Sequence, residues 1–116
     1  MARPHENLVK KVLIELSKKG ILAWPTPTGT ARSLDGKRVI HYGRTDHSDI
    51  IAFVHPTGRA LFIEVKIPPD KQSEGQKNFQ VIVQRKGCYY IIVTPENFKD
   101  VIISCDRFIK QESLRL

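Results

Sequence analysis

Two apolar runs, separated by a short turn signal, constrain this chain more than any other feature. The first is Asp49-Ile50-Ile51-Ala52-Phe53-Val54 and the second is Phe62-Ile63-Glu64-Val65-Lys66, with His55-Pro56-Thr57-Gly58 between them. Proline and glycine so close together punctuate the chain, and the flanking runs then form a hairpin. A two-residue loop at Pro56-Thr57 and a four-residue loop over residues 55–58 give the same register. In both, Val54 faces Arg59 and Asp49 faces Glu64. Directly opposed residues have Cβ atoms about 5 Å apart. Glu64 and Lys66 share a strand face, because side chains alternate with period two. Two carboxylates would therefore meet at one point with an ammonium beside them. Like charges so placed repel, and a bound cation is one remedy. A surface ion-pair cluster, worth about 0–1 kcal/mol, is the structural alternative.

The rest of the chain supplies a frame for that hairpin. Residues 4–19 read as an amphipathic helix, with Leu8, Val9, Val12, Leu13 and Leu16 at helical spacing and Pro4 in the first turn. A short strand over residues 21–24 leads into a Pro/Thr/Gly-rich loop over residues 25–30. Asp35-Gly36 marks a turn, and residues 37–42 return from it as a strand. After the hairpin, Pro68-Pro69-Asp70 breaks the sheet. A helix is predicted from about residue 72 to 86, with Gly87 at its C′ position. Residues 88–93 form an apolar strand suited to a sheet interior. Thr94-Pro95 supplies an N-cap with proline at N1, and a helix follows through Phe98, Val101 and Ile102. The last ten residues give no clear signal. The order α-β-β-β-β-α-β-α describes an α/β sandwich around a mixed sheet.

One domain over residues 1–116 suits this length, and 41% hydrophobic residues provide a core. The net charge of +7 favours a polyanion, with nucleic acid first. Cys88 and Cys105 lack disulfide-framework or metal-ligand spacing, and read as reduced thiols in a cytosol-like compartment. No stretch reaches the length of a membrane span, so no membrane partner is expected.

Three further features bear on chemistry, each with a structural alternative. Glu6 falls at the edge of the first helix's apolar stripe; it could equally serve the helix dipole. Gln76 shares a helical face with Phe79 and Val83, where a buried structural hydrogen bond would also explain it. Gly43 opens the loop before Asp49, and glycine there permits close backbone approach or is an ordinary loop residue. Of the histidines, His5, His41, His47 and His55, only His47 lies near the proposed site in sequence, and an ordinary loop role is favoured. Trp24, Tyr42, Tyr89 and Tyr90 read as sheet or core residues rather than a base-stacking platform.

Taken together, Glu6 in a first helix, the Gly43-led loop ending in Asp49, Glu64-Val65-Lys66 and Gln76-Lys77-Asn78-Phe79 resemble the VRR-NUC family. These are the virus-type replication-repair nucleases of the PD-(D/E)XK superfamily, and the chain is similar to their small stand-alone members from phages and bacteria. The resemblance runs from Glu6 to about Val93. It implies a catalytic set of Asp49, Glu64, Lys66, Gln76 and Glu6. It implies Mg²⁺ or Mn²⁺ held by Asp49, Glu64 and the Val65 carbonyl, with Glu6 contributing through a second metal or bound water. Lys66 would orient the attacking water and Gln76 would hold Lys66 or that water. Asp46 departs from the pattern, since related members often have glycine there. The implied activity is metal-dependent endonuclease cleavage of DNA, on branched substrates with four-way junctions first. A flap or other structure-directed nuclease is the alternative, as is an inactive DNA-binding module. A homodimer is expected, because resolving a junction takes two opposed cuts, and the apolar C-terminal half, including Val101 to Ile103, is a candidate interface. The expected setting is the cytoplasm of a bacterial or phage-infected cell.

Overall fold

A computed structural model describes residues 3–26, 29–32, 34–42 and 48–116, and for residues 29–32 and 39–42 it describes the backbone alone. Gly43, Asp46 and His47 lie outside the described residues. The chain forms α1 (Pro4–Lys18), β1 (Leu22–Pro25), β2 (Gly29–Arg32), β3 (Val39–Tyr42), β4 (Ile50–Val54), β5 (Arg59–Val65), α2 (Glu74–Arg85), β6 (Tyr89–Val93) and α3 (Phe98–Ser113). The expected mixed α/β order is present, with one addition. β2 occupies part of the segment read as loop and pairs antiparallel with β3, away from the main sheet. Four residues flanked by proline and glycine carry too little periodicity to signal a strand.

The main sheet has the order β1-β4-β5-β6. β4 and β5 are antiparallel with Val54 opposite Arg59 and Ile50 opposite Ile63, which is the register the turn dictates. The turn is the four-residue form. Gly58 donates its N–H to the Val54 carbonyl at 2.8 Å, at a positive φ of 79° that glycine adopts without steric cost. β6 runs parallel to β5, with Phe62 beside Tyr90 and Glu64 beside Ile92. A parallel neighbour requires a crossover connection, and α2 provides it.

Burial follows the alternation of the strands. Ile50, Ala52 and Val54 of β4 join Leu61, Ile63 and Val65 of β5 in one core with Leu8, Val12 and Leu16 of α1 and Val101 and Cys105 of α3. The other face of β5 meets α2, where Phe62 stacks edge-on against Phe79 with ring centroids 5.2 Å apart. The hairpin is thus covered on both faces, which leaves Glu64 fully buried.

Three details differ from the sequence reading. β6 is an edge strand of the described sheet rather than an interior one. It is apolar because helices cover it, not because strands flank it on both sides. Thr94 is not the cap of the last helix; Asn97 is the N-cap residue, and the two exchange hydrogen bonds in the preceding turn, Thr94 N–H to Asn97 Oδ1 at 2.7 Å and Asn97 N–H to Thr94 Oγ1 at 3.2 Å. Val101, considered for a dimer interface with its neighbours to Ile103, is buried in the core, whereas Ile103 is 53% exposed.

Candidate functional site

The end of the hairpin opposite its turn gathers the candidate residues. Strand pairing stops at Ile50, and Asp49 turns out of the ladder. Its N–H donates to the Ile63 carbonyl at 2.9 Å, and its carboxylate Oδ2 accepts the Val65 N–H at 2.7 Å. Asp49 is also held from β1, since Thr26 N–H donates to the Asp49 carbonyl at 2.9 Å and the Thr26 hydroxyl donates to the Ser48 carbonyl. Buried Ser48 closes the bend by donating its hydroxyl to the Ile50 carbonyl at 3.1 Å. Five backbone or side-chain bonds thus fix a carboxylate beside the residue that follows Glu64.

Glu64 is 0% exposed. Its Oε1 accepts from the Tyr90 hydroxyl and from Gln72 Nε2 at 3.1 Å. Gln72 is itself oriented by a 2.9 Å bond to Gln80 Oε1. The other oxygen, Oε2, is buried and meets no hydrogen-bond donor among the described residues. The Lys66 ammonium lies 3.5 Å from it, within ion-pair range. Burial, followed by the hydrogen bond to Glu64 and its charge, pushes the Tyr90 hydroxyl pKa up, and Asp49 adds to the effect. Tyr90 therefore stays protonated and remains a donor to Glu64.

Lys66 and Gln76 meet as the sequence reading expects. Lys66 Nζ donates to Gln76 Oε1 at 2.8 Å. Gln76 also completes a capping box: its N–H donates to Ser73 Oγ at 3.1 Å and its Oε1 accepts the Ser73 N–H at 3.0 Å. The structural and chemical readings of Gln76 are therefore both realised by one amide. Because the helix start is pinned, the oxygen facing Lys66 is pinned with it.

Glu6 stands apart. It pairs with Arg3 at 3.3 Å and its side chain is 56% exposed. It nevertheless lines, with Asp49, a cavity of about 440 Å³ between α1 and the end of β1. His5, Val9, Lys10 and Leu13 contribute to the helix side of that cavity, and Pro25 and Thr26 to the strand side. Among the described residues, no three His, Cys, Asp or Glu side chains form a metal-holding group.

The donor chemistry still fits a hard divalent cation. Asp49 and Glu64 present carboxylate oxygens, the ligand type that Mg²⁺ and Mn²⁺ take. The buried Glu64 Oε2 lacks a donor, and such an oxygen is costly unless something else satisfies it.

The sequence reading missed five contributors. His5 Nε2 lies 3.3 Å from Asp49 Oδ1. Tyr90 and Gln72 fix Glu64, and Ser48 with Thr26 fixes Asp49. The Tyr90 contact depends on the parallel register of β6 against β5, for which a single sequence carries no signal. His5 could have been suspected from its place beside Glu6 on the first helical turn.

Comparison of the chain with protein-family models, curated proteins and solved structures finds no match.

Proposed function

We propose that this protein is a metal-dependent endonuclease that hydrolyses DNA phosphodiester bonds, acting on branched DNA, with an architecture of the PD-(D/E)XK nuclease type. One observation carries the reading. A fully buried glutamate keeps one oxygen that no hydrogen-bond donor among the described residues reaches, while a lysine held by a glutamine stands at ion-pair distance, 3.5 Å away. A merely structural ion pair would fill both carboxylate oxygens, because unsatisfied buried acceptors cost about 1–3 kcal/mol each.

Asp49 and Glu64, with the Val65 carbonyl, would hold Mg²⁺ or Mn²⁺. Such a cation stabilises negative charge on phosphoryl and leaving-group oxygens and lowers the pKa of a coordinated water. Tyr90 and Gln72 keep Glu64 Oε1 occupied and so aim Oε2 at the site. The Lys66 ammonium orients the attacking water and offsets charge on the phosphorane. Gln76 restrains Lys66, so that the ammonium need not be ordered when substrate arrives. Glu6 acts from the cavity wall, through water or a second cation. The chain's net charge of +7 supports a phosphate-rich substrate. A homodimer with four-way junctions as its first substrate extends the same proposal, since paired sites suit paired cuts.

The test is a cleavage panel on junction, flap, duplex and single-stranded DNA, with Mg²⁺, Mn²⁺, Ca²⁺ or excess EDTA. Cleavage with Mg²⁺ or Mn²⁺, little with Ca²⁺ and none in EDTA is expected. Undiminished cutting in EDTA would remove the metal from the mechanism. DNA binding without cleavage under every condition would favour an inactive binding module. Light scattering at micromolar concentration reads the oligomeric state.

A further inference from the structure

The cavity beside Asp49 has walls unsuited to phosphate. Val9 and Leu13 from α1 and Pro25 from β1 make it mostly apolar. A desolvated anion in such surroundings lacks partners. Its volume of about 440 Å³ lies within the range of pockets that engulf small organic groups. Two basic side chains, Lys10 and His5, also line it. None of the ion pairs among the described residues uses Lys10, and its side chain is exposed. A chamber lined by apolar side chains together with the Lys10 ammonium, the Thr26 hydroxyl and the Glu6 and Asp49 carboxylates matches one part of DNA well, since a base edge carries both donors and acceptors. A nucleobase is flat and largely apolar on its faces, and it is tethered to a phosphate.

We propose that this cavity takes an unpaired nucleobase of the DNA, drawn out of the stack next to the phosphate that is cut. The proposal rests on the nuclease reading for its ligand and adds a substrate class to it. Val9, Leu13 and Pro25 pack against the base, and Lys10 takes the adjoining phosphate. Removing a base from a duplex costs a few kcal/mol, and least where it is already unpaired. The cavity therefore sorts branched DNAs. Flaps, gapped junctions and four-way junctions that carry an unpaired nucleotide at the branch bind better than the same structures paired throughout.

The test measures binding of the intact wild-type protein in excess EDTA and low salt, so that cleavage does not interfere. The probes are flap DNAs with one unpaired thymidine at the branch, or an abasic residue at the same place. Loss of the base is expected to weaken binding by about tenfold at one branch position, the scale of a single base contact. Equal affinity within about twofold at every branch position would overturn the proposal while leaving the nuclease reading intact. Absence of DNA binding in any form would overturn both. Leu13→Phe, checked for folding by thermal melting, narrows the cavity and should reduce thymidine-flap affinity to the abasic level. A folded Leu13→Phe protein that still discriminates would show that the base sits elsewhere. Because the abasic comparison uses wild-type protein, it decides the matter even if that variant fails to fold.

Discussion

Two glutamates in this protein are fully buried, and they are treated in opposite ways. Glu64 lies near the end of β5, whereas Glu112, in the last turn of α3, contacts Arg59 at the strand's beginning. Glu112 is saturated. Thr57 Oγ1 and Arg59 Nε (2.9 Å) donate to its Oε1, and the Tyr89 hydroxyl (2.6 Å) and Arg115 Nε (2.9 Å) donate to its Oε2. Burial pushes its carboxyl pKa up, but those donors outweigh burial and hold it at about 2, against 4.5 ordinarily. Arg59 extends the lock by donating to the Gly87 carbonyl, so Glu112 ties the hairpin turn to α3 and to the end of α2. Gly87 supplies the φ of +89° that this place needs; a Cβ there would come within 2.9 Å of the Arg59 guanidinium, the flexible end of a side chain that can shift. Among the described residues, Glu64 has hydrogen-bond donors on one oxygen alone, with the Lys66 ammonium 3.5 Å from the other. The contrast teaches that burial does not mark a functional carboxylate; what marks it is an acceptor left without a donor.

The comparison breaks most visibly at Glu64. Glu64→Ala and Asp49→Ala should each reduce cleavage by at least about a hundredfold, beyond the loss typical of an indirect partner of a metal ligand. Lys66→Ala should act similarly, with rates compared where each variant is folded, because Glu64→Ala unpairs the Tyr90 hydroxyl and Lys66→Ala leaves a buried carboxylate without its ammonium. Cleavage by Glu64→Ala at the wild-type rate would make the two glutamates equivalent structural groups.

Glu112→Gln should do the reverse, costing about 2–4 kcal/mol of stability and lowering Tm by roughly 10 °C, with cleavage retained wherever the variant is folded. The pH dependence follows from the lowered pKa. A depressed carboxyl contributes stability fully above the unfolded value of 4.5, and loses that contribution as pH falls towards about 2. The stability gap between wild type and Glu112→Gln should therefore narrow across that interval in acid denaturation curves. A gap independent of pH would mean that the charge of Glu112 contributes nothing.

A smaller effect is expected at Tyr90→Phe, which removes one donor from Glu64 Oε1. Mn²⁺ affinity, measured by titration, should drop about tenfold with little change in Tm. Unchanged affinity would make Tyr90 a packing residue. Gln76→Ala should have the smallest effect on stability, about 1 kcal/mol from the lost capping box, together with a several-fold slower cleavage. If Ser73→Ala, which opens the same capping box but leaves the Lys66 contact, does not slow cleavage, the amide acts through the lysine and not through the helix start.

Much of this was legible in the sequence for physical reasons. Alternation and turn chemistry fix a hairpin register, so the pairing from Val54 with Arg59 to Ile50 with Ile63 could be read from the sequence; the ladder ends there, and Asp49, expected opposite Glu64, instead turns its carboxylate to the Val65 N–H. Helical periodicity fixed α1, and the spacing of Gln76, Phe79 and Val83 marked the face of α2 that meets the sheet. Local signals failed where partners are distant. Thr94 resembled a cap because proline follows it, yet Asn97 took the role once the turn closed. The last ten residues looked indeterminate because Glu112 makes sense only against Thr57, Arg59 and Tyr89, which lie far away in sequence.

The sequence by itself determined the elements, the hairpin register and the residue types at its open end, because these depend on steric and hydrophobic patterns within a few residues. The tertiary structure alone decided which of two buried glutamates would be saturated. It brought Tyr90 and Gln72 to one oxygen of Glu64, held Lys66 on Gln76, set His5 against Asp49 and turned Glu6 towards Arg3. Hydrogen bonds reach about 3 Å, so they depend on how whole elements are docked, and a periodicity that fixes each element says nothing about its neighbour.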